Sequence, residues 1–291
     1  MLDLSTLNKE QKEAVVTTEG YVRVIASPGS GKTRALTHRF AYLLEELKIS
    51  PNNILCITYT NKAANEMKER ILKLINTKDD FNTISTIHSY CDHFLRTYID
   101  SFNCHIKSNY IIFDEYDLEK ILKKTASYLL NDYSISELNN MLSKLKYENK
   151  EYIEYLLGFT DSFSFGVSWV DNTIALCKRN NSLMFDDLII GTLYFLKNNE
   201  KVRQIEQKKY QYILVDEFQD TTPSTYELMK ILSDYHKNLF VVGDPDQSIY
   251  EFIGANPRIL LNEFIEDFPT TKTLLMNSNY RSTSQIIEMS N

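Results

Sequence analysis

A short run of small residues with a single lysine lies near the start of the chain and could hold a polyphosphate. Residues 26–33 read ASPGSGKT, after an apolar run at residues 22–26 and before a helical pattern at residues 33–47. In a strand–loop–helix of this kind, successive backbone N–H groups and the positive end of the helix bind phosphate oxygens. The segment matches the Walker A pattern except that Ala26 stands in place of its first glycine.

The side chains of this loop predict ATP as the ligand. Lys32 is expected to reach the β- and γ-phosphates, and the Thr33 hydroxyl is expected to bind Mg²⁺. The rest of the loop is expected to contribute backbone contacts through Ser27, Pro28, Gly29, Ser30 and Gly31. The alternative is a glycine-rich turn with an unrelated Lys-Thr pair, which the flanking strand and helix patterns disfavour.

Two adjacent carboxylates follow another apolar run, in ILVDEFQD at residues 213–220. A strand that ends here places Asp216 and Glu217 at the carboxyl edge of a parallel sheet, where open α/β sheets bind ligands. Asp216 is expected to contact Mg²⁺, and Glu217 is expected to take the proton from the attacking water. Many helix starts also carry acidic pairs, so this prediction depends on the loop at residues 26–33.

A third apolar run leads into GDPDQSIY at residues 243–250. Gln247 is expected to contact both the γ-phosphate and the attacking water. Taken alone, the segment also fits an ordinary Gly-Asp-Pro β-turn. The two motifs described above favour the catalytic interpretation.

Short apolar runs predict the elements that position these motifs. Near-continuous hydrophobic runs, typical of strands covered on both faces, occur at residues 22–26, 54–58, 212–215 and 239–242. Helical patterns follow them at residues 33–47, 63–75 and 223–232. Alternation of strand and helix predicts an α/β fold, a P-loop NTPase (RecA-like) parallel sheet flanked by helices.

The texture of the sequence changes between about residues 98 and 207. There the β-branched runs vanish and helical periodicity takes over. This change predicts an all-α subdomain inserted into the α/β domain. The predicted division is residues 1–97 for the first part of the RecA-like domain, 98–207 for the insert and 208–291 for the second part.

Composition limits the classes of function. Hydrophobic residues make up 43% and charged residues 24%, an ordinary globular balance. The net charge of −7 offers no global attraction for nucleic acid, so a DNA site would have to be a local groove. The four cysteines are scattered without a C-x-x-C pair, which argues against a zinc or iron–sulfur site. Without a signal peptide or a long apolar run, we expect a cytoplasmic protein and no membrane partner.

Eight segments in order make the chain resemble the ATP-binding half of the UvrD/Rep-like superfamily 1 DNA helicases, over nearly all 291 residues. Besides the three motifs above, they are LNKEQKEAV at residues 7–15, TYTNKAANEM at 58–67, TIHSY at 86–90, FDDLI at 185–189 and NYRS at 279–282. The resemblance implies an ATP-dependent, Mg²⁺-dependent motor that moves 3′ to 5′ along single-stranded DNA. It also implies substrates of single-stranded DNA or duplex with a single-stranded tail, and repair or recombination proteins as partners.

The resemblance implies further nucleotide contacts. Gln11 would read the adenine edge and Tyr280 would stack on the adenine. Arg34 would lie near the nucleotide, and Arg281 would be an arginine finger on the transferring phosphoryl group.

The resemblance also implies a site for single-stranded DNA. Its residues would be Tyr59, Thr60, His88, Phe185, Tyr250 and Phe252. The aromatic rings would stack on bases, whereas Thr60 and His88 would contact phosphates. Each aromatic residue alone could as well belong to a core, because the chain has 19 Tyr and 15 Phe.

Two positions depart from the family's pattern. Ile253 stands where the family has an arginine, which puts in doubt the link between the DNA grip and the phosphate site. Ser27 replaces a common glycine, which the backbone geometry is expected to tolerate.

The family's second motor domain, with another arginine finger, would follow residue 291. We therefore expect a fragment that lacks the C-terminal motor domain and hydrolyses ATP weakly on its own; the alternative is a natural protein that is shorter than its relatives.

Two other functions stay open at this point. A nucleotide-switched DNA- or protein-binding module would use the same motifs without unwinding DNA. A small-molecule kinase would use the same loop, but the sequence contains no recognisable acceptor site or lid. Stimulation of ATP hydrolysis by single-stranded DNA separates the motor from the nucleotide-switched module.

Overall fold

The protein was analysed as a computed structural model, which describes residues 2–75, 81–160, 162–248 and 254–280. The chain divides into two compact units, one formed by Met1–Ile87 with Arg203–Asn291 and the other by His88–Val202. The predicted insert at residues 98–207 overlaps the second unit, and its limits stay a prediction.

Strands make up the centre of the first unit. In the described residues they are, in chain order, β1 Tyr21–Ala26, β2 Ile54–Thr58, β3 Ile84–Thr86, β4 Ile111–Ile112, β5 Ser182–Leu183, β6 Tyr212–Val215, β7 Leu239–Gly243 and β8 Lys272–Met276. Six of them form one parallel sheet in the order β3-β2-β6-β7-β1-β8. The central strands β6, β7 and β1 have β2 on one side and β8 on the other, and these two flanking strands lie far apart in the sequence.

Helices flank this sheet and make up most of the second unit. In the described residues they are α1 Lys9–Val16, α2 Lys32–Glu45, α3 Asn61–Ile75, α4 Ile87–Tyr98, α5 Glu115–Thr125, α6 Ile135–Glu148, α7 Lys150–Leu157, α8 Ser168–Arg179, α9 Phe185–Asn198, α10 Glu200–Lys209, α11 Pro223–Ser233 and α12 Phe264–Asp267. A π-helical turn, Ile259–Glu263, precedes α12. None of the helices in the described ranges is both long enough and apolar enough to cross a lipid bilayer.

Burial explains why the sequence reveals the central strands. Every residue of β2, β6 and β7 is buried, so their apolar runs are continuous. The two edge strands were not predicted: β3 has three residues and β8 is mostly exposed, and neither needs a continuous apolar run. The predicted α/β fold of the P-loop NTPase class is confirmed.

The second unit is helical apart from one short parallel pair. Strands β4 and β5 pair Ile111 with Ser182 and Ile112 with Leu183. Side chains such as Leu122, Leu138 and Ile174, from three different helices, are fully or almost fully buried. The unit therefore has its own apolar core.

A buried arginine joins α2 to the end of α1. The Arg39 guanidinium donates hydrogen bonds to the carbonyl oxygens of Ala14, Thr17 and Thr18, and it lies 4.2 Å from the centre of the Phe240 ring. Burial lowers its pKa to about 9, which leaves the guanidinium charged at neutral pH. The planar fork thus satisfies three carbonyl groups at a helix end where no further helical N–H groups are available.

We predict that Arg39→Leu lowers the free energy of unfolding by about 2 to 4 kcal/mol, because buried carbonyl oxygens lose their donors. Arg39→Lys, which keeps the charge but loses the fork, should lie between this variant and the wild type. Lys12→Leu on the exposed face of α1 should change stability by less than about 0.5 kcal/mol. Denaturant titrations measure all three, and equal stability of Arg39→Leu and Lys12→Leu would contradict the assignment.

Candidate nucleotide-binding site

The sheet order brings three of the motifs to one edge. Strands β6, β7 and β1 are adjacent, with Val24 opposite Val242 and Val215 opposite Val241. Because the strands are parallel, the segments that follow them emerge at the same carboxyl edge. The loop at residues 27–31, the carboxylates after β6 and the turn after β7 therefore meet there.

The loop after β1 turns sharply and leaves the start of α2 without a side-chain cap. Gly29 and Gly31 have φ values of +72° and +89°, a region that favours glycine. Gly31 is the N-cap of α2 and carries no side chain that could accept its first N–H groups. These N–H groups, at the positive end of the helix dipole, suit a phosphate group.

Residues from both ends of the sequence brace this loop. The Gln11 amide donates to the Ser30 carbonyl oxygen at 2.8 Å, and the Asn8 side chain donates to the Tyr280 hydroxyl at 2.6 Å. The Tyr280 backbone N–H donates to the Gly29 carbonyl oxygen at 2.9 Å. Thus Gln11 and Tyr280, both predicted to contact adenine, lie against the phosphate loop, and Tyr280 keeps an exposed ring.

The Lys32 ammonium lies between two carboxylates. Its Nζ is 3.6 Å from Glu217 Oε2 and 3.8 Å from Asp244 Oδ2. Both distances exceed those of normal hydrogen bonds, so these ion pairs leave the Lys32 N–H groups able to donate to a closer oxygen. A phosphate oxygen could replace either carboxylate as a partner.

The first carboxylate after β6 is buried. Desolvation, followed by repulsion from Glu217, raises the pKa of Asp216 to about 7. Its Oδ1 accepts a hydrogen bond from the Glu217 backbone N–H at 3.0 Å. The carboxyl group therefore gains little from the protein to offset its burial, a situation that a bound cation would relieve.

The Glu217 carboxylate is held at a turn in the backbone. Glu217 has a φ of +48°, in the left-handed region that non-glycine residues rarely adopt. Its Oε2 accepts from the Gln219 amide at 3.0 Å, while the Gln219 Oε1 accepts from the Asp244 backbone N–H at 2.9 Å. Gln219 thereby joins the segments that follow β6 and β7. Asp244 in turn accepts from the Gln247 side chain.

These groups line a cavity of about 190 Å³, formed by Gly29, Gly31, Lys32, Thr33, Arg34, Arg70, Glu217 and Gln247. Three of the lining side chains are cationic and one is anionic, a balance that suits a polyphosphate. Arg34 also donates to the Thr6 carbonyl oxygen at 3.1 Å. Of the predicted loop residues, Gly29, Gly31, Lys32 and Thr33 line this cavity together with Glu217 and Gln247, whereas Ser27, Pro28, Ser30 and Asp216 are not among its lining residues.

Three residues of this site were not predicted from the sequence. Arg70 lies three positions after the segment at residues 58–67, and its helix follows a strand that ends at the same edge. Gln219 and Asp244 stand inside segments that were recognised, next to residues with predicted roles. In the sequence, the only sign of a role for these three residues was that each is hydrophilic and lies inside or close to a recognised segment.

The predicted DNA-binding residues belong to both units. In the first unit, Tyr59 is 38% exposed and the Thr60 hydroxyl accepts from the Ala63 N–H at 3.1 Å, at the start of α3. In the second unit, the His88 and Phe185 rings meet edge to face with centres 5.6 Å apart. Burial lowers the pKa of His88 against the opposing effect of Asp186, so the imidazole is neutral at pH 7. Three predicted site residues lie outside the described residues: Tyr250, Phe252 and Arg281.

The fold and the cavity define a P-loop NTPase, because an uncapped helix start, a lysine and two carboxylates converge at the carboxyl edge of a parallel sheet. The pattern of the UvrD/REP helicase N-terminal domain family matches residues 7–269. The chain belongs to this family, in agreement with the resemblance found in the sequence.

Curated relatives carry helicase names. The chain is 41% identical over 292 residues to ATP-dependent DNA helicase PcrA from Staphylococcus aureus, covering 99% of this chain and 40% of the relative. The protein of the same name from Staphylococcus epidermidis gives the same values. A probable DNA helicase II homolog from Mycoplasma capricolum is 38% identical over 299 residues, covering 100% of this chain and 41% of the relative. The chain thus spans about two fifths of the length of these relatives.

We predict that Gly31→Ala destabilises the protein more than Gly20→Ala. Both residues have φ near +85° to +89°, so an alanine costs similar backbone strain at either position. Only at Gly31 would the added Cβ lie 2.6 Å from the Gln11 Nε2 and displace its hydrogen bond to Ser30, whereas Gly20 has nothing within 4 Å. The difference in unfolding free energy should be about 1 kcal/mol. Equal losses in a denaturant titration would mean that Gln11 does not brace the loop.

Asp216 should make stability depend on pH. Because its folded pKa of about 7 lies above the ordinary aspartate value of 3.8, the folded state binds the proton more tightly. In metal-free buffer, the stability of the wild type relative to Asp216→Asn should fall by a few kcal/mol between about pH 4 and pH 7 and then level off. A relative stability that is constant with pH, measured by denaturant titrations, would contradict a buried carboxyl group at this position.

Proposed function

We propose that this chain is the ATP-binding and ATP-hydrolysing motor domain of a DNA helicase or translocase that acts on single-stranded DNA. The observation that carries the proposal is the cavity at the sheet edge, where Lys32, Arg34 and Arg70 face the Glu217 carboxylate beside an uncapped helix start. Membership in a helicase family supports the same function.

In the proposed reaction, the chain's own residues bind the triphosphate and orient a water. The backbone of residues 27–31 and the Lys32 ammonium hold the β- and γ-phosphates. Glu217 takes the proton from the attacking water, and Gln247 contacts both that water and the γ-phosphate. Gln11 and Tyr280 contact the adenine, and Arg281 spreads positive charge over the transferring phosphoryl group.

Thr33 and Asp216 fit the role of Mg²⁺ ligands, since a hydroxyl and a carboxylate are oxygen donors that this cation prefers. The buried Asp216 carboxyl has a raised pKa, and a nearby cation would favour its ionised form. Bound Mg²⁺ would neutralise charge on the phosphates. Within the described residues, no group of three or more His, Cys, Asp or Glu side chains could hold a metal ion. Proteins often bind Mg²⁺ through one or two carboxylates together with the phosphates of the substrate.

The DNA part of the proposal rests on exposed aromatic rings at motif positions. Tyr59 is 38% exposed and Phe185 is 45% exposed, although both could have been core residues by composition. Stacking on such rings is worth about 1–3 kcal/mol per base and is insensitive to sequence. In the proposal Tyr250 and Phe252 add further rings, while Thr60 and the neutral His88 donate hydrogen bonds to phosphates.

The activity of the whole protein is part of the proposal. The relatives named as helicases are more than twice as long as the matched region, which leaves room in them for a second wall of the nucleotide cleft. We propose that such a wall, a second motor domain, is needed for fast turnover and for movement 3′ to 5′. Because loss of one transition-state arginine can cost about 10³-fold, the chain alone should turn over slowly.

Two variants separate binding of ATP from its hydrolysis. Lys32→Ala should abolish binding or turnover, because the loop loses the cation that faces the phosphates. Glu217→Gln should keep nucleotide affinity but lower the hydrolysis rate by at least about a hundredfold, because the amide cannot accept the proton. Binding is measured with a fluorescent ATP analogue and turnover by phosphate release. If Glu217→Gln lost nucleotide binding as strongly as it lost hydrolysis, Glu217 would not be the base.

Single-stranded DNA tests the motor interpretation directly. At low salt and with Mg²⁺, an oligothymidylate should raise the rate of ATP hydrolysis by the complete protein. Duplex of the same length without a tail serves as the control. An unchanged rate with bound DNA would favour the nucleotide-switched module, and no DNA binding at all would contradict the DNA part of the proposal.

A further inference from the structure

A buried ion pair lies in the second unit, whereas the residues that line the nucleotide cavity belong to the first unit. Lys146 Nζ on α6 is 2.9 Å from Asp187 Oδ1 on α9, and both side chains are 0% exposed. The Tyr152 hydroxyl donates to the same Oδ1 at 2.7 Å. The other oxygen, Oδ2, accepts from the Met184 backbone N–H at 2.8 Å. Every oxygen of this buried carboxylate therefore has a partner.

Stability alone gives a weak reason for such a pair. Removing two charges from water costs several kcal/mol per ion, and well-packed apolar residues of similar volume are often as stabilising. Burial opposes the charge on Lys146, but Asp187 and Asp186 outweigh it and raise the Lys146 pKa. The charged pair does orient the side chains and the backbone that it contacts, because each hydrogen bond favours a particular angle as well as a distance.

The buried pair holds the backbone on both sides of Phe185. Met184 is the N-cap of α9, and Asp187 is the third residue of that helix, so the two bracket Phe185. Asp186 is held from α6 as well, by the Ser143 hydroxyl and by the Tyr147 hydroxyl at 3.5 Å. The backbone before and after Phe185 is thus tied to one neighbouring helix.

The Phe185 ring is exposed and oriented at the same time. It is 45% exposed, and its edge-to-face contact with His88, at an interplanar angle of 85°, leaves part of the ring uncovered. An aromatic ring held in place before binding loses less conformational freedom when it stacks on a flat ligand. A nucleobase is the flat ligand that fits a helicase family member.

We propose that Lys146 and Asp187 are positioning residues, which hold Phe185 and its His88 contact in the orientation that stacks on a base of single-stranded DNA. This inference rests on the proposed DNA function. It assigns to a buried pair in the helical unit a part in DNA affinity, and it assigns no contact with DNA to the pair itself.

The test replaces the pair by apolar residues of similar size, Lys146→Met with Asp187→Leu, in the 291-residue chain. Fluorescence anisotropy measures affinity for a labelled oligothymidylate, and a fluorescent ATP analogue reports on the nucleotide site. The pair variant should bind DNA several-fold more weakly and ATP unchanged. Phe185→Ala should weaken DNA binding by about tenfold. Combining Phe185→Ala with the pair variant should cause no further loss, because both changes remove the same stacking contact.

A matched control lies on the same helix. Lys144 and Glu148 form an exposed ion pair on α6, at 3.8 Å and with side chains 75% and 62% exposed. Lys144→Met with Glu148→Leu makes the same chemical change at the surface and should leave DNA affinity as in the wild type. If the buried-pair variant does not fold, as judged by circular dichroism, Lys146→Met with Asp187→Asn replaces it, because this change leaves no unpaired buried charge. The amide keeps the shape and an acceptor for the Met184 N–H, and its smaller loss of affinity should also vanish in the Phe185→Ala background.

Four outcomes would overturn the inference. A folded pair variant with wild-type DNA affinity, or losses that add to those of Phe185→Ala, would show that the pair does not act through Phe185. An unchanged affinity in Phe185→Ala, with DNA still bound, would remove Phe185 as the contact but leave the proposed function intact. Absence of DNA binding by the wild type would contradict both the inference and the DNA part of the proposed function.

Discussion

The Lys32 ammonium has two carboxylates as neighbours, at 3.6 Å from Glu217 and 3.8 Å from Asp244. These three residues follow β1, β6 and β7, so their distances depend on the order and register of the central strands. Removing the ammonium would leave two carboxylates close together in a partly buried place, and like charges there repel strongly. Both contacts are too long for good hydrogen bonds and can yield to phosphate oxygens.

The rest of the first unit supports this arrangement. Gln219 ties Glu217 to the backbone after β7, and Gln11 ties the phosphate loop to α1. Arg39 in turn holds the end of α1 against α2, the helix that begins with Lys32. A chain of hydrogen bonds thus runs from the apolar core to the cavity. In the second unit, we propose that Lys146 and Asp187 support Phe185 in a similar way.

Much of the fold was predictable because buried parallel strands are continuous apolar runs. The runs at residues 54–58 and 212–215 coincide with β2 and β6 in full, and ASPGSGKT has the loop geometry that its glycines suggest. The supporting contacts could not be predicted. Lys146 and Asp187 are 41 positions apart, and nothing in an ordinary lysine of an amphipathic helix indicates that it is buried. Arg70 likewise gains its place only through the packing of α3.

In the proposed function, this cavity binds the triphosphate of ATP, and Lys32 then exchanges its carboxylate partners for phosphate oxygens. A crystal structure of the chain with Mg²⁺ and a non-hydrolysable ATP analogue tests it most directly. Phosphate oxygens should lie against the backbone N–H groups of residues 29–33, with Lys32 Nζ within about 3 Å of them. Nucleotide bound elsewhere, or Lys32 still held by Glu217 and Asp244 beside a bound triphosphate, would contradict it.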